Sequence, residues 1–176
     1  MSVSRSYLLG AMHDGTIRPR TLRIAQKEES YVLFLRHLVQ AEGGRAWTYR
    51  EGSNRQVYVV EFARSILDGH VLRTRRDGID YARGYFDAEG GIPSSIERPF
   101  YVYFAQKDRH DLEELRTILI SLGIDCGRVH NPSRRVDPGY WRFYVRRSSL
   151  VRFAKVVGSW HPRKGEVLRA WLRARA

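Results

Sequence analysis

The sequence predicts an α+β fold built from two related half-domains, each reading helix–strand–strand–helix–strand–strand–helix. Three observations carry that expectation. First, TLRIAQKEESYVLFLRHLV (residues 21–39) is echoed by YVYFAQKDRHDLEELRTILI (residues 101–120), with Ala25, Gln26, Lys27 and Glu28 matching Ala105, Gln106, Lys107 and Asp108. Second, an acid–glycine pair after a short apolar run precedes each copy: Asp14-Gly15 and Glu89-Gly90. Third, each copy is followed by strand–turn–strand punctuation.

The elements follow in order. Residues 8–12 and 81–88 are short apolar helices whose small residues let two backbones approach closely. In the first half, WTYR (47–50), a turn at 51–54 and QVYVVEF (56–62) form a hairpin; in the second, GRVHN (127–131) and YWRFYVR (140–146) flank a Pro-Ser…Pro-Gly turn. Helices are expected over about 63–72 and 149–159, and a last one over 165–175. RTRRDG (73–78) is the expected linker, which divides the chain into halves at 1–74 and 75–176.

The composition narrows the function. The chain has 176 residues, enough for one domain or two fused halves, and its net charge is +12. Most of the basic residues are arginine, whose planar fork matches phosphate and guanine edges. A polyanion, foremost nucleic acid, is the implied partner. A membrane is not: no run reaches the roughly 18 apolar residues of a spanning helix, and the basic residues do not gather on one helix face. The start has no signal-peptide pattern, so a non-secreted protein of the cytoplasm or an organelle matrix is expected. The lone Cys126 reads as a small buried hydrophobe. There is no Walker-type loop, no G-x-S-x-G, no supported Cys–His pair and no zinc-like histidine pairing.

A carboxylate at the C-terminal end of a helix opposes the helix dipole. Two such helices packed about a pseudo-twofold axis would bring Asp14 and Glu89 together, each raising the other's pKa. A divalent cation relieves that repulsion, and hard oxygen ligands of this kind suit Mg²⁺, which fills its shell with water and phosphate. Such a centre serves phosphodiester cleavage.

These residues resemble the LAGLIDADG homing endonucleases. ARGYFDAEG (82–90) fits the nine-residue motif, with Gly84 in third place and Glu89 in the acidic eighth; LLGAMHDG (8–15) is similar to a first copy. The resemblance implies two αββαββα halves whose strands form a saddle over the DNA major groove, with the motif helices at the central interface. It implies a monomer that cuts both strands of a long double-stranded site with Mg²⁺, or another divalent cation in its place, leaving short 3′ overhangs, with intron homing as the biological role. Asp14 and Glu89 carry over as metal-binding acids, with Gly15 and Gly90 beside them in the metal set. Gln26 and Gln106 fall where the family orders water around the scissile phosphates. HPRK (161–164) and HVLR (70–73) look alike and offer Lys164 and Arg73 as the late basic residues. Gly10 and Gly15 are five apart whereas Gly84 and Gly90 are six apart; aligning on the acid sets Leu9 opposite Gly84. His13 is expected to fill the interface.

For DNA contact, the strand pattern offers Arg18, Arg20, Arg45, Tyr49 and Arg55 in the first half, and Arg98, Tyr103, Arg128, His130, Arg134, Arg135 and Arg142 in the second. Arg18, Arg20 and Arg23 cannot share a face unless the strand bulges at Pro19. Trp47 and Trp141 are expected to pack against helices. Contact with six to ten phosphates would cost about 10³–10⁵ in affinity between 50 and 200 mM salt. Two alternatives share the scaffold: an RNA maturase acting on intron RNA, and a non-catalytic DNA-binding regulator. No obligate protein partner is expected.

Overall fold

The computed structural model describes residues 5–52 and 56–175. Within them each half is a seam helix and an antiparallel sheet, covered by one helix in the first half and by three in the second. The first half runs α1 (Arg5–Ala11), a 3₁₀ turn (Met12–Asp14), β1 (Gly15–Ile17), β2 (Thr21–Gln26), α2 (Glu29–Ala41), β3 (Ala46–Glu51), β4 (Val57–Ala63) and a second 3₁₀ turn (Arg64–Ile66). The second runs α3 (Arg75–Glu89), β5 (Gly90–Gly91), β6 (Tyr103–Gln106), α4 (Arg109–Ser121), β7 (Trp141–Tyr144), a 3₁₀ turn (Arg147–Ser149), α5 (Leu150–Val156) and α6 (Pro162–Arg173). The sheets are ordered β1-β2-β4-β3 and β5-β6-β7.

Alternation along the strands splits each sheet into a covered and an open face. Leu22, Ile24, Val60 and Phe62 pack with Tyr31, Leu35 and Val39 of α2 and Tyr7 and Leu8 of α1 to form one core. Phe104 and Phe143 pack with Leu112, Leu115, Phe86 and Phe153 to form the other. Burial of these side chains, about 1.5–3 kcal/mol each, is the main stabilising force.

The repeat is legible in the backbone. Glu28 and Asp108 are the N-caps of α2 and α4. Both helices end alike: Gly43 and Gly123 adopt φ of 79° and 77°, which only glycine takes without strain. Gly44 and Ile124 then donate to Val39 and Leu119 at 2.9 and 3.0 Å.

Several expectations are corrected. Residues 73–78 are not a linker. Thr74 caps α3, its hydroxyl accepting from the Asp77 amide while Asp77 accepts from the Thr74 amide. The helix expected over 63–72 is absent; β4 runs to Ala63, and the turn after it stops at Gly69, whose φ is +67°. His70 is drawn instead to Ser6 of α1, 2.8 Å from its hydroxyl. The helices expected over 149–159 and 165–175 are α5 and α6. The strand expected at 127–131 survives only as the bridges Cys126–Val145 and His130–Arg142. Four steps on one side against three on the other mark a bulge of one residue.

Candidate metal centre and open sheet face

The seam between the halves is the contact of α1 with α3, and two glycines set its closeness. A Cβ on Gly10 would lie 2.2 Å from the Tyr81 carbonyl oxygen and 2.7 Å from the Tyr85 nitrogen. A Cβ on Gly84 would lie 2.0 Å from the Tyr7 oxygen and 2.9 Å from the Ala11 nitrogen. Each glycine therefore meets the residue three before and the residue one after the other glycine, which is a pseudo-twofold relation. Gly10, not Leu9, is the partner of Gly84. Winding reconciles this with the unequal spacing to the acids. Five α-helical steps from Gly84 to Glu89 rise about 7.5 Å. One α-helical and three 3₁₀ steps from Gly10 to Asp14 also rise about 7.5 Å.

The two acids are thus brought level. Asp14 raises the pKa of the Glu89 carboxyl, which burial first and this neighbour second push up to about 7, against a smaller opposing effect of Lys164. Burial likewise raises Asp14, opposed by Gln26 and Lys164. Gln26 Nε2 donates to Asp14 Oδ2 at 2.6 Å. Gln106 is placed differently: its Oε1 accepts from the Lys107 amide at 2.7 Å. Gly15 and Gly90 directly follow the acids and open β1 and β5.

Lys164 lies beneath this pair. Its Nζ donates to the carbonyls of Phe86 and Asp87 at 2.7 and 2.9 Å, so a cation answers the negative end of α3. Burial pulls its pKa down to about 8, while Asp87, Glu89 and Asp14 resist the fall. Arg73 does not join it, and that assignment is corrected. Arg73 precedes α3, whose far end carries Glu89, and 15 helical residues span about 22 Å. Asp87, two residues before Glu89, points the other way and is fully buried. It accepts from Tyr7 Oη at 2.6 Å, from the amides of Trp160 and His161 at 2.9 and 3.1 Å, and from the Ser159 hydroxyl. His13 fills the seam, its ring tilted against Tyr85 at 3.9 Å between centroids, with Nε2 2.8 Å from Tyr81 Oη.

Among the described residues no three His, Cys, Asp or Glu side chains converge as a metal cluster. The donor set of Asp14 and Glu89 still fits a hard divalent cation. Both are oxygen ligands whose mutual repulsion a cation removes, and Mg²⁺ ordinarily keeps several waters.

The basic candidates lie mostly on the turns and loops that border the open faces, with Arg142 on the second sheet itself. Arg18 and Arg20 lie in the turn between β1 and β2, closed by Arg18 N to Thr21 O at 2.9 Å, so the strand-parity conflict does not arise. Arg45 is exposed beside β3, and Tyr49 lies within it. Arg55 lies outside the described residues. Arg98 is exposed before β6. Tyr103 shares the open face of the second sheet with Tyr144, at 5.6 Å between ring centroids. Arg142 lies over the Tyr144 ring, at 5.2 Å, and His130 pairs with Arg142 across the bridge. Arg128 is exposed, with Val129 buried beside it. Arg134 and Arg135 stand on a loop braced by Asn131, whose amide donates to the carbonyls of Asp137 and Pro138.

Trp141 packs towards α4 under Arg109, as expected. Trp47 does not: it pairs with Glu61 on the open face and is 45% exposed. Glu61 and Arg23 join this face beyond the residues expected from the sequence; the alternation of QVYVVEF, with Phe62 inward, is the signal for Glu61. No described helix is long and apolar enough to cross a membrane.

Residues 80–158 match the model of the LAGLIDADG-like domain. No curated protein matches the chain in sequence. Among solved structures, I-DmoI in complex with DNA and Ca superposes with a TM-score of 0.70 at 16% identity, covering 96% of this chain and 98% of that one. I-DmoI in complex with DNA and Mn gives 0.67 at 16% identity, covering 89% and 97%. The N-terminal LAGLIDADG domain of DUF199/WhiA gives 0.66 at 12% identity, covering 88% and 82%. Residues 80–158 therefore carry a LAGLIDADG-like domain, and the two halves together have the fold of these solved structures.

Proposed function

We propose that the chain is a divalent-metal-dependent endonuclease that cuts both strands of a double-stranded DNA site, with Mg²⁺ as the working cation. The reading is supported by the seam geometry: α1 and α3 pack backbone to backbone through Gly10 and Gly84, and each chain path leaves that contact at an acid, Asp14 and Glu89. Support comes from I-DmoI, whose structures hold target DNA with Mn or Mg. When bound, the cation supplies neutralising charge at the scissile phosphate and a more acidic water. The chain's own residues hold and orient it. Asp14 and Glu89 provide the oxygens, Gln26 fixes the Asp14 carboxylate, and Lys164 favours the ionised form of both acids. The basic open faces bind the duplex. Because both motifs lie in one chain, a monomer suffices.

The test is cleavage of duplex DNA spanning the uninterrupted form of the gene's flanking sequence, with and without Mg²⁺. Wild type should linearise it only with metal; Asp14→Asn and Glu89→Gln should bind it and leave it intact. Full cleavage by either variant refutes the assignment. One second reading has an observation behind it. The likeness to the LAGLIDADG domain of WhiA favours a DNA-binding regulator that does not cut, and binding without cleavage by the wild type selects that reading.

A further inference from the structure

The open face of the first sheet holds a carboxylate where a polyanion-binding surface is least served by one. Glu61 sits within β4, and its side chain is only 8% exposed. It accepts from Thr21 Oγ1 at 2.5 Å, from Arg18 Nη1 at 3.2 Å to each oxygen, and from Tyr49 Oη at 3.1 Å. Tyr49 Oη in turn accepts from Arg23 Nε at 3.3 Å, and Arg23 Nη2 pairs with Glu51. Strand register sets Arg23, Glu61 and Trp47 in one row across three strands.

This arrangement has opposite effects on affinity and on selectivity. A fixed negative charge repels phosphate and lowers affinity for any duplex. The same charge holds Arg18 directly and adds, through Tyr49, a second tether to the Arg23 that Glu51 already pairs; a side chain already ordered loses less entropy when it meets its base. We propose that Glu61 is a positioning residue for sequence readout: it fixes Arg18 directly, and Arg23 through Tyr49, on the open face beside Trp47, giving up affinity for discrimination. The proposal rests on the reading of the chain as a duplex-DNA-binding protein, and requires nothing of the cleavage step.

The experiment uses the full chain and a duplex library with a randomised core. The sequence enriched by wild type is compared with an unrelated duplex over a range of salt. In Glu61→Gln, affinity for the unrelated duplex should rise. The preference for the enriched duplex should fall about tenfold, the scale of one lost arginine–guanine pair. Re-selection should show that loss confined to one half of the site. Tyr49→Phe, which keeps the Glu61 charge and its Arg18 bonds, should lose part of the preference with no gain on the unrelated duplex. An unchanged preference in Glu61→Gln overturns the proposal. So does an equal loss on both duplexes with a lowered melting temperature, the mark of a purely structural role. Enrichment of no sequence by wild type would remove the DNA reading itself, and the proposal with it.

Discussion

Replacing Gly84 by alanine tests the seam without reference to function. The added methyl would lie 2.0 Å from the Tyr7 carbonyl oxygen, whereas real Cβ atoms essentially never approach within 3.0 Å. The helices must separate by at least about 1 Å, since the obstacle is backbone and cannot rotate away. Overpacking of this kind costs about 1–3 kcal/mol, and a rigid helix contact belongs at the upper end. Alanine returns about 0.5–1 kcal/mol through its better helix propensity. The balance is a loss of about 2 kcal/mol, which lowers the melting temperature of a chain this size by about 4–8 °C. Gly78 is the internal control on the same helix. Its added methyl would meet only Ile118 Cγ2, a movable side-chain atom, at 3.3 Å. Gly78→Ala should therefore be neutral or slightly stabilising. Thermal and urea unfolding of both variants decide the matter. A Gly84→Ala protein as stable as wild type, or a Gly78→Ala protein equally weakened, refutes the close-contact account. In a cutting protein the displacement also spreads Asp14 from Glu89, and misplacement by about 1 Å at a reacting centre costs on the order of 10²-fold in rate.

Three further outcomes are expected. Lys164→Met removes the buried ammonium that bonds the Phe86 and Asp87 carbonyls, Phe86 keeping only the Gly90 amide, and should cost about 1–3 kcal/mol in urea unfolding; it should also move the Glu89 carboxyl further up in an NMR titration, because Lys164 now holds it down. A glutamate ordinarily titrates near 4.5, and in the metal-free fold burial and then Asp14 push the Glu89 carboxyl up to about 7. The folded state thus binds the proton more tightly, so this contribution to stability is present below about pH 4.5 and is lost as pH rises through about 7. Glu89→Gln should flatten that part of the stability–pH curve, and saturating Mg²⁺ should offset the loss above pH 7 in wild type only. Duplex binding should weaken steeply with salt, by about 10³–10⁵ between 50 and 200 mM if six to ten phosphates are engaged, as read by fluorescence anisotropy.

The repeat itself was legible because it rests on local rules. The Ala-Gln-Lys-acid run marks a strand end and a helix cap, and both copies obey it. What escaped depended on partners distant in sequence or on fine backbone winding. The spacing from Gly10 to Asp14 looked one residue short, since counting residues assumes a uniform helix; the 3₁₀ turn makes up the length. The capping pair Thr74 and Asp77 is visible in the sequence as T-x-x-D, but its run of arginines reads equally as a linker. The helix expected after β4 failed at Gly69, a residue that tolerates both helix and turn until His70 finds Ser6. Only the HPRK pattern marks Lys164 in the sequence, and its seat on the α3 carbonyls lies 77 and 78 residues away. Arg73 looked equivalent by pattern and sits at the wrong end of the same helix.

Asp87 has a consequence for anyone who would recombine this chain with a relative. Its carboxylate serves Tyr7 from one half and the 159–161 segment from the other in a single buried knot. A chimaera that imports a foreign N-terminal half must therefore bring a hydroxyl to the position of Tyr7, or leave the recipient's acid starved of a donor. Compatibility between donor and recipient is set at this knot as much as by any match of apolar shapes.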